Sequence, residues 1–203
     1  MRAQNTSSAV MQQRSLPTDS ADFFPTPPWA TRVLFESITP KVTDICWEPA
    51  CGAGHMSKVL EEKFYRVFST DLHDYGYGET GVDFLSPLSN SVEYIITNPP
   101  FNKAEQFALT ALHRATKGVA LLVRSSFLEG VGRYQRLFTP HPPSQVIQFC
   151  ERVPMLKGRL DRFGSTATSY AWIVWDLRDT SKVTEFLWTG ICRKSLEKDA
   201  DYE

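Results

Sequence analysis

An α/β domain built on a mostly parallel sheet is the fold class this sequence predicts, and three observations carry the prediction. Short apolar strand patterns alternate with segments of helical periodicity over most of the chain. A glycine loop, Pro49-Ala50-Cys51-Gly52-Ala53-Gly54, falls between the first strand and the helix that follows it. Polar residues, Glu48, Asp71 and Asn98, close three successive strong strands. In an open parallel sheet those strand ends meet at one crevice, where ligands bind.

The elements follow in order. Residues 1–20 are rich in Ser, Gln, Thr and Asn, cannot offset their ordering entropy by burial, and are expected to form a flexible N-terminal tail. Structure should begin near Phe23. Thr26 can cap a helix whose first turn tolerates Pro27 and Pro28 and whose apolar face is Val33, Leu34 and Ile38. Strands are predicted at 43–48, 66–71 and 92–97, with the stretch 73–81 a loop and a helix after the glycine loop. The prolines of Asn98-Pro99-Pro100-Phe101 withhold donors and stop the third strand. A helix near 103–115, a strand at 118–123, a helix near Arg133 and a strand at 145–149 continue the alternation. Strands at 170–176 and 184–188 with no long helix between them predict an antiparallel finish. This makes seven strands, with the domain spanning 21–190 and residues 191–203 a charged C-terminal tail.

Composition excludes little else. Hydrophobic residues at 42% and charged residues at 22% are ordinary for a globular protein. No apolar run approaches the ~20 residues that span a bilayer and no secretory signal order is present, so a cytoplasmic location is expected, in a bacterial or phage-infected cell, with no membrane partner. The four cysteines lack a CxxC pair or zinc-site spacing, so no metal is expected and reduced thiols are the default. Among the histidines, His55, His73, His113 and His141, none has a partner at ligand or triad spacing, which assigns them surface or packing roles. The net charge is -1, yet residues 124–162 hold seven bases and three acids, compatible with a basic face around a site.

The glycine loop lets backbone approach a ligand closely, with Glu48 beside it, and it lacks the third glycine of a dinucleotide-binding loop. An acid there suits a cation better than a pyrophosphate. Asp71 stands about 20 residues further on, where an acid accepts from ribose hydroxyls in nucleoside-binding α/β domains. Asp83 lies one short segment beyond it.

With these residues in view, the chain resembles the class I, Rossmann-like S-adenosyl-L-methionine-dependent methyltransferases, specifically those that methylate amino groups through an NPP(F/Y) motif. TPPWATRVL at 26–34 is similar to the cofactor segment that lies N-terminal in the gamma class of adenine-N6 DNA methyltransferases. EPACGAG is similar to the glycine loop of that class, and NPPF to its catalytic motif. RVPMLKGR followed by TATSYAWIVW resembles small phage and prophage members. The resemblance implies roles residue by residue. The Thr26 hydroxyl and backbone near Phe24 would hold the methionine carboxylate of the cofactor, Glu48 and the Ala50–Gly52 backbone its ammonium end, and Asp71 its ribose. Asp83 would accept from the adenine amino group, with Leu72 and Phe84 against the ring.

Catalysis at an exocyclic amine must localise a lone pair that is delocalised into the ring. The Asn98 carbonyl oxygen and the Pro99 main-chain carbonyl can accept both N–H bonds, Pro100 stiffens the turn, and Phe101 offers a stacking face to an extruded base. Arg124, Lys157, Arg159 and Arg162 would hold phosphates of a DNA substrate, with Phe163 or Met155 on the other face of the base. Relaxed sequence specificity is expected, because the core leaves only loops to read bases. The other readings are adenine-N6 methylation of ribosomal or transfer RNA, methylation of a protein glutamine, and a catalytically silent cofactor-binding or nucleic-acid-binding module.

Overall fold

The computed structural model describes residues 23–87 and 90–203; the tail expected over 1–20 lies outside the described residues. Pro28 opens α1 (Pro28–Arg32), where a missing N–H forfeits no helical bond. A 3-10 turn, Val33–Glu36, carries the helix on. Thr26 does not cap it: the N-cap falls on Pro27 and no side chain caps the helix. The elements that follow are β1 (Ile45–Glu48), α2 (His55–Leu60), β2 (Arg66–Asp71), β3 (Glu79–Thr80) and β4 (Val92–Thr97). Next come α3 (Ala104–Arg114), β5 (Ala115–Arg124), α4 (Val131–Arg133) with a π-helical continuation over Tyr134–Phe138, and β6 (Gln145–Gln148). A small hairpin, β7 (Met155–Leu156) and β8 (Arg159–Leu160), precedes β9 (Tyr170–Asp176), β10 (Glu185–Trp188) and α5 (Arg193–Leu196).

One eight-stranded sheet organises the domain, in the order β10-β6-β9-β5-β4-β1-β2-β3. Two details of the expected sheet are corrected. The stretch 73–81 contains β3, which pairs parallel with β2 and supplies the eighth strand. The antiparallel strand is β9, inserted between β5 and β6, while the last strand, β10, runs parallel to β6 at the edge. Burial explains the placement. The seven residues of β9 are almost all buried, as a central strand requires, whereas Phe186 and Trp188 of β10 are exposed.

Because side chains alternate across a strand, neighbours in sequence enter opposite cores. Cys46, Tyr94, Ile96, Leu122 and Trp172 pack beneath α1 and α2, while Trp47, Ile95, Leu121, Ile173 and Trp175 pack beneath α3. The Trp172 indole donates to the Ala30 carbonyl at 2.8 Å and fixes α1 on the sheet. Residues 191–203, expected as a charged tail, carry α5 and a 3-10 turn, Asp199–Tyr202, that dock on α1. Arg32 grips both Asp201 carboxylate oxygens at 2.7 Å and the Leu196 carbonyl at 2.8 Å. Among the described residues, no helix is long and apolar enough to cross a membrane.

Candidate active site

Parallel pairing of β1, β2 and β4 puts their C-terminal ends on one edge of the sheet, and a cavity of about 300 Å³ opens there. Its wall holds Phe24, Thr26, Glu48, Ala50, Gly52, Asp71, Leu72, Asp83 and Phe84, together with Asn98 and Pro100. All nine residues expected to bind a cofactor are therefore brought together, and the turn that carries Asn98 faces the same space.

The glycine loop is sterically specified at two positions. Gly52 has φ +51°, and a Cβ on it would stand 2.5 Å from the Phe23 ring; Gly54 has φ +81°, with the Tyr77 ring 2.6 Å from the same point. Both conformations disfavour any side chain even without those contacts. The loop backbone is tied to its neighbour strand, since Asp71 accepts from Gly52 N and from His73 N, each at 2.9 Å. Each carboxylate oxygen keeps a further lone pair for a hydroxyl partner.

Glu48 is buried at the cavity and accepts a hydrogen bond from the Ser57 hydroxyl. Ser69 in turn donates to Ser57 at 2.7 Å. Burial lifts the Glu48 carboxyl to about 8; the Ser57 bond opposes the rise and the Asp71 charge adds to it. A carboxyl held in this condition is short of a positive partner.

Asn98 shows the complementary shortage. Its Nδ2 donates to the Phe24 carbonyl at 2.9 Å and to the Thr26 hydroxyl at 3.1 Å. A carbonyl can only accept, so the amide nitrogen must face Phe24, and this settles which way the side chain is turned. Its Oδ1 is buried and, among the described residues, has no hydrogen-bond partner. A buried acceptor left open in this way costs stability of order 1–3 kcal/mol, which fits a group reserved for a ligand.

The side chains of Pro99 and Phe101 are not part of the cavity wall. Pro99 is buried, and Phe101 packs against Phe24 and Tyr170 at ring distances of 5.2 and 6.2 Å. Arg124, expected at a phosphate, lies with its guanidinium 4.0 Å over the Phe101 ring, so a cation covers one face of the expected stacking platform. The bases of 124–162, compatible in sequence with one basic face, have separate partners. Arg133 donates to the Phe127 and Glu129 carbonyls, Arg136 pairs with Glu105, and Arg152 donates to the Ala167 carbonyl. Arg159 lies 3.3 Å from Asp161, and Arg162 lies 2.7 Å from Asp199. Lys157 joins β7 to β8, and Phe163, 92% exposed, projects from a turn in which its own N–H bonds Asp161.

Several wall residues escaped the sequence reading. His55 and His73, assigned surface or packing roles, line the cavity, as do Phe23 and Tyr75, whose rings stack at 4.3 Å. His73 lies two residues past Asp71 on the same strand end, and that position was a usable signal. Arg114, which supports the wall without lining it, gave none: it reaches from the end of α3 to the Phe84 and Ser86 carbonyls and fixes the Asp83 loop.

No protein-family model and no curated protein sequence matches the chain. Solved structures do. A protein assigned as a type I restriction-enzyme modification subunit from Vibrio vulnificus has TM-score 0.59 at 13% identity, over 94% of this chain and 53% of that one. A type I restriction-modification methyltransferase subunit from Streptococcus thermophilus has TM-score 0.60 at 12% identity, over 89% and 51%. A protein assigned as an RNA methyltransferase from Pyrococcus horikoshii has TM-score 0.60 at 14% identity, over 83% and 95%. The chain spans about half the length of the two restriction-modification subunits. The fold is that of the class I S-adenosylmethionine-dependent methyltransferases.

Proposed function

We propose that the protein transfers a methyl group from S-adenosyl-L-methionine to an exocyclic amine, and that the amine is N6 of adenine in DNA. The observation that carries the reading is the Asn98 amide: it is locked through its nitrogen and presents a buried, unpartnered oxygen at the turn that closes the cavity. The residues present fit the cofactor. Glu48 is a buried carboxyl without a cation, suited to an ammonium group; Asp71 suits ribose hydroxyls; the glycine loop leaves room where a Cβ would clash. Asp83, Leu72 and Phe84 line the same cavity, which supports their assignment to an adenine ring. When bound, the cofactor supplies a methyl group activated by a sulfonium.

The protein's own work is on the acceptor nitrogen. Asn98 Oδ1 and the Pro99 main-chain carbonyl take the two N–H bonds, hold the nitrogen pyramidal, and stabilise the positive charge that grows on it. No strong base is required, because the proton becomes acidic once that charge has developed. DNA is preferred over other amines on two grounds: the motif carries Phe101 beside Asn98-Pro99-Pro100, and two similar structures are restriction-modification subunits. The Pyrococcus protein keeps RNA as the second reading.

Purified protein with labelled cofactor is to be offered DNA, RNA and protein separately, followed by nucleoside analysis. Labelled N6-methyladenine in DNA is expected; label only in RNA or protein would reassign the substrate, and cofactor binding without transfer would mean a silent module. Asn98→Ala is expected to lower transfer at least ~100-fold while leaving cofactor affinity within a few-fold. Retained activity contradicts the assignment.

A further inference from the structure

Residues 23–26 touch both halves of the site. Phe23 stacks on Tyr75, and its carbonyl accepts from Gly158 N of the β7–β8 hairpin at 2.9 Å. One residue further on, the Phe24 carbonyl and the Thr26 hydroxyl accept from Asn98. Thr26 is buried, at 3% exposure, yet stands on the cavity wall. It is released from helix capping, because Pro27 occupies the N-cap.

A hydroxyl has one proton to give and two lone pairs to receive with. Thr26 spends a lone pair on Asn98, and among the described residues its own proton has no acceptor. We propose that Thr26 is a positioning residue that couples occupancy of the cofactor cavity to the orientation of Asn98. The inference rests on the methyltransferase reading. When an acceptor enters the cavity, the chemical class being the carboxylate of an amino-acid group, the Thr26 proton turns to it. The hydroxyl oxygen is then polarised and fixed as an acceptor, and the bond from Asn98 Nδ2 strengthens. Asn98 Oδ1, already oriented by the two bonds from Nδ2, is held more firmly for the amine when the cofactor is present. Binding of the two ligands is thereby linked, and the linkage is reciprocal.

The test reads Asn98 directly and needs no nucleic-acid substrate. The side-chain NH2 resonances of Asn98 in 15N-labelled full-length protein are assigned by their loss in Asn98→Asp. Their exchange with water is measured with and without S-adenosylhomocysteine, which fills the cavity without turnover. In the wild type and in Thr26→Ser, saturation with this ligand is expected to slow exchange about fivefold or more. In Thr26→Val, which keeps the shape and loses the hydroxyl, the ratio is expected to fall to within twofold of one, even at saturation. Equal slowing in Thr26→Val overturns the proposal, because shielding by the ligand would then account for all of it. So does a wild type that binds the ligand and shows no slowing, which keeps the question answerable if Thr26→Val fails to fold. A wild type that does not bind S-adenosylhomocysteine by calorimetry would instead remove the methyltransferase reading itself.

Discussion

The strand-end cavity and the basic stretch over 124–162 were both visible as patterns in the sequence, and the structure treats them differently. At the cavity, Glu48, Asp71 and Asn98 end on one edge because each closes a parallel strand, and topology fixes the end of a strand. In the basic stretch, each arginine has a long stem and finds its own partner. Arg136 reaches Glu105 on α3, and Arg162 reaches Glu197 and Asp199 near the C-terminus. Position along a strand is a coordinate in space, whereas a count of charges along the chain is not.

The sharpest way to break this contrast is at the cavity. Glu48→Gln keeps the shape and an acceptor for Ser57 but removes the charge expected to meet an ammonium group. Cofactor affinity at pH 7.5 is expected to fall about 10- to 100-fold by calorimetry. The pH dependence has a definite sign. With its carboxyl at about 8, Glu48 in the free protein is mostly protonated at pH 6.5 and must ionise to pair. Affinity of the wild type should therefore rise from pH 6 towards 7.5, with close to one proton released per cofactor bound. Above about pH 8 the ligand's own α-amino group begins to lose its proton and the gain ends. Glu48→Gln should release no proton, and release equal to the wild type would place the ammonium elsewhere.

The same residue links function to stability with the opposite sign. Its folded-state pKa lies above the unfolded value, so the folded protein holds the proton more tightly. Stability is lost as pH rises from the unfolded carboxylate range, near 4.5, through about 8. At pH 8 without ligand, Glu48→Gln is expected to be more stable than the wild type by roughly 2–4 kcal/mol in urea melts, and by little at pH 4. A site that costs stability until its ligand arrives is what a buried, unpaired acid implies.

A smaller effect tests the other region. Arg136, 64% exposed, pairs with Glu105 at 2.7 Å at the surface. Its replacement by alanine should leave the melting temperature within about 2 °C, since exposed pairs contribute little. A larger drop would mean that the basic stretch is structural in a way that surface pairing does not explain.

What was legible follows the same division. The seven predicted strands are present because their apolar runs are long or alternate cleanly, although the buried YAWIVWD strand lies inside the sheet and does not finish it. The eighth, β3, is two residues of Glu and Thr with no apolar signal, and its pairing with β2 is decided by the loop that carries it. Thr26 was read as a helix cap, the role that local sequence favours, but Asn98, 72 residues away, uses its hydroxyl instead. The docking of 191–203 was invisible for a similar reason. Asp201 and Arg32 are far apart in sequence, and a charged run gives no sign that one member lies under an arginine.

The finest comparison lies within the basic stretch, between Arg159 and Arg162. Arg159 is 70% exposed, sits on the two-residue strand β8, and has a single 3.3 Å contact with the partly exposed Asp161. Turning it to a phosphate would sacrifice almost nothing. Arg162 is held by Asp199 at 2.7 Å and Glu197 at 3.5 Å, lies over the Tyr202 ring, and has its carbonyl bound by Arg193. To reach a phosphate it would have to abandon Glu197, which is nearly buried. If the protein binds nucleic acid through this hairpin, Arg159→Ala should lower the slope of log affinity against log salt by about 0.7–0.9, the release of one counterion. Arg162→Ala should leave that slope unchanged within error. Equal losses would show that the C-terminal segment yields Arg162 to the ligand, and no loss from either would take the hairpin out of the interface while leaving the cavity's assignment intact.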